Sequence, residues 1–120
     1  MKLFLIIAAT LAALVFAQPA LSHAMLERAN PRVGSTVQSA PAKVELWFSQ
    51  ELEPAFSTLK VVDKAGRQVD MGDKTVDARE RSRLVVSLPQ LPPGTYRVVW
   101  RALSVDTHVS EGDFTFVVAP

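Results

Sequence analysis

The sequence predicts an all-β fold, either a β-sandwich or a small Greek-key β-barrel of about seven strands. Apolar and polar residues alternate with a period of two in several short segments, and no long stretch shows the period of a helix. Turn signals separate these segments about every 8–12 residues, a spacing typical of β-sandwiches. A chain of 120 residues is long enough for one domain of this kind.

Five strands are predicted in chain order, covering residues 43–48, 59–61, 83–88, 95–103 and 112–118. They are rich in β-branched and aromatic residues, which favour a pleated, half-buried surface. Because successive side chains of a strand point to opposite sides, the alternation assigns each strand an apolar face. These apolar faces consist of Val44, Leu46, Phe48, Leu59, Val61, Tyr96, Val98, Trp100, Ala102, Phe114, Phe116 and Val118.

The segments between the strands carry turn and surface signals. Residues 64–66 end the second strand, and the Leu-Pro-Pro-Gly segment over residues 91–94 precedes the fourth. Proline fixes φ in such turns, and glycine permits a positive φ. Residues 69–83 are polar and charged, so we expect a surface excursion with room for one short strand. We interpret Trp47 and Trp100 as packing residues rather than as a ligand platform.

The composition excludes several classes of protein. The chain has no cysteine, which rules out a disulfide framework, a thiolate metal site and a thiol nucleophile. Its net charge of +1 provides no electrostatic surface for binding nucleic acid. The hydrophobic fraction of 48% is too high for a chain that is disordered by composition.

Residues 1–22 are predicted to be a cleavable signal peptide, leaving residues 23–120 as the folded domain. Lys2 precedes an apolar run over residues 3–16. This run is shorter than the ~20 residues that a membrane-spanning helix needs, and it fits the apolar region of a secretory signal. We therefore expect an exported protein whose net charge falls to zero when Lys2 is removed.

The cleavage site determines which residue begins the mature chain. The Ala-Leu-Ser segment over residues 20–22 satisfies the small-residue rule and would leave His23 as the new N-terminus. Cleavage after Ala17 would leave a short tail before His23, and cleavage after Ala24 would remove that histidine. A permanent signal anchor is a further alternative, which the short apolar run and Pro19 disfavour.

The two histidines of the chain suggest one metal site. As the first mature residue, His23 would offer both its α-amine and its imidazole, and an α-amine with a pKa of about 7.7–8 loses its proton easily to a metal ion. Asp106 and His108 are two residues apart, so their side chains project to the same side of an extended segment. Three nitrogens and one carboxylate oxygen suit Cu(II), with Ni(II) as the nearest competitor.

Simpler interpretations remain open for the same residues. An Asp-x-His segment in a loop is usually a turn in which the aspartate caps backbone N–H groups. No G-x-S-x-G elbow accompanies either histidine, which disfavours a hydrolase. Glu51 and Glu53 lie in a polar turn before Pro54, where a solvated role is more common than acid–base chemistry.

Motif order along the chain resembles that of a known family. The matching segments are NPRVGS (residues 30–35), APAKVELWFS (40–49), LPPGTYRVVWRALS (91–104), VDTH (105–108) and GDFTF (112–116). Together with His23 they resemble the periplasmic copper-binding CopC family of the bacterial copper resistance system. The resemblance covers nearly all of residues 23–120.

This resemblance implies a fold, a site and a role. The fold would be a small Greek-key β-barrel of immunoglobulin-like or cupredoxin-like type. One Cu(II) ion per chain would be bound by the amine and imidazole of His23, the imidazole of His108 and the nearby carboxylate of Asp106. The protein would be a periplasmic monomer that sequesters copper or delivers it to a CopD-like inner-membrane importer. It would have no enzymatic activity and would not bind nucleic acid.

Two departures from the family pattern refine these expectations. Some members bind Cu(I) in a methionine-rich loop with a histidine, but residues 61–72 contain only Met71 and no histidine. Because thioether ligands select Cu(I), we expect no Cu(I) site here. Gln50 replaces an acidic residue found in some relatives, and Glu51 is adjacent. The alternative functions are a copper-dependent polysaccharide monooxygenase and a metal-free immunoglobulin-like interaction module.

Overall fold

Eight β-strands form two four-stranded sheets in the computed structural model, which describes residues 23–120. The first sheet has the order β1-β3-β6-β5 and the second the order β2-β8-β7-β4. The only helical element within residues 23–120 is a single 3-10 turn at Pro54–Phe56. The strands are β1 (Leu26–Asn30), β2 (Thr36–Val37), β3 (Lys43–Phe48), β4 (Thr58–Val62), β5 (Thr75–Val76), β6 (Arg83–Ser87), β7 (Gly94–Leu103) and β8 (Val109–Val118).

The chain passes repeatedly between the two sheets. The first five strands alternate between them, and the chain crosses again from β6 to β7, as in Greek-key sandwiches. All strand pairs are antiparallel except β2 with β8. The long β7–β8 hairpin runs in register from Gly94 opposite Val118 to Leu103 opposite Val109. This architecture confirms the predicted all-β sandwich.

The core lies between the sheets and contains the apolar faces that the alternation assigns. Trp100 packs edge-on against Phe48 with ring centroids 5.1 Å apart, joining β7 of the second sheet to β3 of the first. Tyr96 stacks on Phe116 and donates a hydrogen bond of 2.6 Å to the carbonyl of Pro92. All twelve apolar-face residues named from the sequence are buried. The period-of-two pattern therefore located the core correctly.

Two strands at the start of the domain lack this pattern. In β1 only Ala29 is buried, and β2 has two residues, neither of them buried. β1 pairs with β3 alone at one edge of the first sheet, and β2 pairs with β8 alone at one edge of the second. An edge strand needs less apolar surface than a central one, so neither is visible in the hydrophobic periodicity.

A polar network covers the outer face of the first sheet. Glu45 is buried even though the alternation places it away from the core. Arg83 pairs with Glu45 through Nε at 2.9 Å and also through Nη2, and its Nη1 donates to Asp77 Oδ2 at 2.7 Å. The guanidinium of Arg28 lies 3.8 Å from the centroid of the Trp47 ring. Trp47 therefore packs against arginine side chains on the outer face of this sheet, which agrees with its interpretation as a packing residue.

The predicted signal peptide over residues 1–22 lies outside the described residues. Within residues 23–120, no helix has the length and apolar character to cross a bilayer.

Candidate metal centre

The Asp-x-His segment forms the loop of the β7–β8 hairpin. Ser104 and His108 close this loop, because the N–H of Ser104 donates to the carbonyl of His108 at 3.0 Å. The intervening Thr107 has a φ of 72°, in the left-handed region. A three-residue loop that ends in a left-handed residue is a common hairpin connection. The register of the two long strands therefore fixes the loop at one end of the sandwich.

The segment that follows β3 supports this loop from the side. The N–H of Val105 donates to the carbonyl of Glu51 at 3.0 Å, and Leu52 forms a bridge with Ser104. Glu51 thus contributes its backbone to the loop, while its side chain is exposed. Gln50 is half-buried.

Ser104 organises the loop from inside, and its side chain is fully buried. Its hydroxyl donates to Asp106 Oδ1 and accepts a hydrogen bond of 3.2 Å from the N–H of His108. The Ser104 hydrogen bond, followed by the positive potential of His108, holds the pKa of the Asp106 carboxyl below its ordinary value. Asp106 is therefore a carboxylate over a wider pH range than a free aspartate.

The imidazole of His108 is oriented by this carboxylate. Its Nδ1 lies 3.3 Å from Asp106 Oδ1. Because a buried polar nitrogen without a partner costs free energy, the approach of this carboxylate favours the observed orientation of the ring. About a third of the His108 side chain is exposed, which leaves the ring accessible from outside.

The second histidine reaches the same end of the molecule from the start of the domain. The rings of His23 and His108 have centroids 5.0 Å apart and planes inclined by 62°. The antiparallel pairing of β1 with β3 places the residues before Leu26 beside the end of β3. There the N–H of Ser49 donates to the carbonyl of Met25 at 2.9 Å.

Of the three residues that the sequence singles out, the structure places His23 beside His108 and Asp106 beside His108. Within the described part of the chain, no three His, Asp or Glu side chains converge closely enough to hold a metal ion by themselves. The fourth predicted donor, the α-amine of His23, would form only after cleavage behind Ser22.

Sequence reasoning missed the serines that surround these residues. Ser104 orders the loop, and Ser49 and Ser110 contact the backbone before β1. Serine is common and its partners here are mostly backbone atoms, so no spacing rule could have selected these three. The two methionines within residues 23–120, in contrast, are surface residues: Met25 is 63% exposed and Met71 is 60% exposed.

Comparison with known proteins gives consistent matches along the domain. Residues 26–119 match the CopC domain family model. The chain is 36% identical over 103 residues to copper resistance protein C of Pseudomonas syringae pv. tomato, and the match covers 81% of each chain. The crystal structure of CopC from Methylosinus trichosporium OB3b matches with a TM-score of 0.73 and 34% identity, covering 82% of this chain and 95% of that one.

A second solved structure has a similar fold. The crystal structure of PcoC, a methionine-rich copper resistance protein from Escherichia coli, matches with a TM-score of 0.70 and 35% identity. The match covers 81% of this chain and 99% of that chain.

The fold and the paired histidines define a two-sheet β-sandwich with a candidate metal centre at one end. The chain belongs to the CopC family. The segment matched by the family model contains Asp106 and His108 and begins after His23.

Proposed function

We propose that this protein is a periplasmic Cu(II)-binding protein that sequesters copper or hands it on, with copper as its cargo. The observation that carries the proposal is the 5.0 Å separation of the His23 and His108 rings, which come from opposite ends of the domain. They are the only two histidines in the chain. The names of the related proteins, which refer to copper resistance, support the same cargo.

Each donor has a distinct role in the proposed site. His108 turns Nδ1 toward Asp106, so its Nε2 is the nitrogen that it can offer to a metal ion. A carboxylate beside the opposite nitrogen fixes the tautomer and raises the basicity of the ligand. His23 supplies an imidazole and, after cleavage behind Ser22, an α-amine. These groups would provide three nitrogen donors for one Cu(II) per chain, and the Asp106 carboxylate, which faces Nδ1 of His108 rather than Nε2, would add its oxygen after its side chain turns toward the ion.

The same donor set disfavours Cu(I) as cargo. Cu(I) prefers the soft sulfur of cysteine or methionine, and the chain has no cysteine. Met25 and Met71 are exposed single residues, without a second histidine-bearing loop. We expect Ag(I), a soft probe, to bind weakly compared with Cu(II).

Because the proposed protein binds copper without catalysing a reaction, its role in the cell would be to hold copper or pass it on. The protein would be exported by its signal peptide, act as a monomer and pass copper to a CopD-like membrane importer. Polysaccharide oxidation by the copper-loaded protein in the presence of a reductant would contradict this role and indicate a monooxygenase.

The proposal is tested by titrating Cu(II) into the exported, processed protein after the mass of its N-terminus has been determined. We expect a chain that begins at His23 and binds one equivalent of Cu(II). His108→Ala should weaken binding at least a hundredfold, because a chelating nitrogen is lost. A version with one extra residue before His23 should also bind weakly, since its α-amine becomes an amide.

The matched control keeps all donors and alters a neighbouring charge. Glu111→Gln removes an exposed carboxylate on β8 that pairs with Arg101 at 3.1 Å, and it should leave Cu(II) affinity unchanged. Equal affinity of the native protein and the His108→Ala variant would rule out the proposed site.

A further inference from the structure

Residues 23–25, which directly precede β1, are held in place by packing and hydrogen bonds. We call His23, Ala24 and Met25 the N-terminal arm. Ala24 is fully buried in the core, whereas His23 and Met25 are exposed. This alternation embeds the methyl group of Ala24 in the sandwich and turns the side chain of His23 outward. A chain end that supplies a metal ligand is thus already ordered by packing.

Ser49 ties the arm to the first sheet. It follows directly after β3, and its hydroxyl accepts a hydrogen bond of 2.9 Å from the N–H of Met25. The same hydroxyl donates to the carbonyl of His23 at 3.3 Å. One side chain therefore satisfies backbone groups on both sides of Ala24.

Ser110 ties the arm to the second sheet. Its hydroxyl, on β8, donates to the carbonyl of Ala24 at 2.5 Å. Ser110 lies two residues after His108 in the same hairpin arm. The contact therefore links the backbone of one histidine-bearing segment to the strand that carries the other histidine.

We propose that Ser49 and Ser110 are positioning residues, a serine clamp that holds the N-terminal arm so that His23 faces His108. This inference rests on the proposed function, because it concerns how tightly that site holds Cu(II). Neither serine is a metal ligand in the proposed site. Ordering a flexible segment on binding reduces affinity, and an arm that is ordered beforehand avoids this loss.

The test measures Cu(II) affinity in the exported, processed Ser49→Ala and Ser110→Ala proteins. Ser49→Ala loses two hydrogen bonds to the arm and Ser110→Ala loses one, so we expect the Kd of each variant to rise about fivefold, mainly through faster release. The double variant should lose more than either single one. Ser110→Thr keeps the hydroxyl and should restore wild-type affinity.

A matched control separates positioning from general stability. Tyr96→Phe removes a hydroxyl that donates to a backbone carbonyl at 2.6 Å, near the opposite end of β7. It should lower the melting temperature by a similar amount and leave the Kd unchanged. The Cu(II) EPR spectrum adds a readout that stability alone does not move, because a displaced amine changes the donor set.

The outcomes distinguish the clamp from the function on which it rests. If native protein binds Cu(II) and both alanine variants bind equally tightly, the clamp is overturned and the proposed function stands. If native protein binds no Cu(II), the proposed function fails. In that case hydrogen exchange at the Met25 amide decides whether the serines order the arm. Slow exchange that becomes fast in Ser49→Ala would support ordering of the arm by the serine, and equal exchange rates would overturn the clamp.

Discussion

At the scale of single residues, the buried hydroxyl of Ser104 links Asp106 and His108 of the hairpin loop. Ser104→Ala removes the donor to Asp106 and the acceptor for the N–H of His108. We expect the pKa of Asp106 to rise toward its ordinary value, and the protein to lose about 1–3 kcal/mol from the unsatisfied His108 amide. Carbon NMR titration of the metal-free protein and urea unfolding measure the two effects. An unchanged Asp106 pKa would contradict the assigned role of Ser104.

Thr107 is the one residue within 23–120, apart from glycines, that has a positive φ. A β-branched residue is strained in this region, whereas asparagine adopts it readily. Thr107→Asn should therefore stabilise the protein by about 1 kcal/mol, as measured by chemical denaturation. Thr36→Asn, on an exposed strand position, is the control and should not stabilise the fold. A destabilised Thr107→Asn protein would mean that the threonine side chain outweighs the backbone strain.

Scarcity and spacing made the candidate ligands visible in the sequence. His23 and His108 are the only histidines, and Asp106 stands two residues before the second. The serines around them were not visible, because their partners belong to segments that only the fold brings together. Ser110, for example, contacts the carbonyl of a residue 86 positions earlier in the chain.

At the scale of strands, the pairing of β7 and β8 depends on a glycine. Gly112 lies opposite Trp100, and a methyl group there would approach the indole Cε2 to 2.8 Å. Gly112→Ala should displace the ring and destabilise the protein by about 1–3 kcal/mol. In a Trp100→Phe background, Gly112→Ala should cost less stability, because the smaller ring leaves space for the methyl group. Additive unfolding free energies in the double variant would contradict this contact.

The Asp77 carboxylate, which pairs with Arg83 on β6 of the first sheet, contributes to the pH dependence of stability in acid. The backbone N–H of Arg79, and then Arg83, hold the pKa of Asp77 below its ordinary value of 3.8. A carboxyl whose pKa is lowered by folding stabilises the folded protein at pH values above its ordinary pKa. This stabilisation is lost as the pH falls through the folded-state pKa. Asp77→Asn should therefore lower stability at pH 7 and show a shallower decline below about pH 4.

The control for this prediction is an exposed ion pair on the other sheet. Asp113 pairs with Arg97 at 2.7 Å, and both side chains are about half exposed. Because surface pairs contribute little, Asp113→Asn should keep the wild-type decline in acid. Identical slopes for Asp77→Asn and wild type, measured by urea unfolding from pH 2 to 7, would contradict the role of Asp77.

Strands with an alternating pattern were predictable and edge strands were not. β3 has the bounds that alternation indicates, and β7 begins one residue earlier. β8 begins at Val109, three residues before the predicted start, because pairing with β7 continues into its more exposed part. β1 and β2 are held by one neighbour each, so their sequences carry little apolar signal.

At the scale of the whole molecule, the sandwich places His23 and the β7–β8 hairpin loop at one end. The rings of His23 and His108 lie 5.0 Å apart there. Because the two histidines are far apart in the chain, only the packing of the two sheets brings them together. Overall fold class was predictable from periodicity, but the meeting of the two rings is a tertiary result.

In the proposed function, the two histidines share one Cu(II) ion. Pulsed EPR of the processed protein loaded with one equivalent of Cu(II) counts the coordinated imidazoles through their remote nitrogens. We predict two equatorial imidazoles in the native protein and one in His108→Ala. A spectrum with one imidazole in the native protein, or an unchanged spectrum in His108→Ala, would contradict the claim.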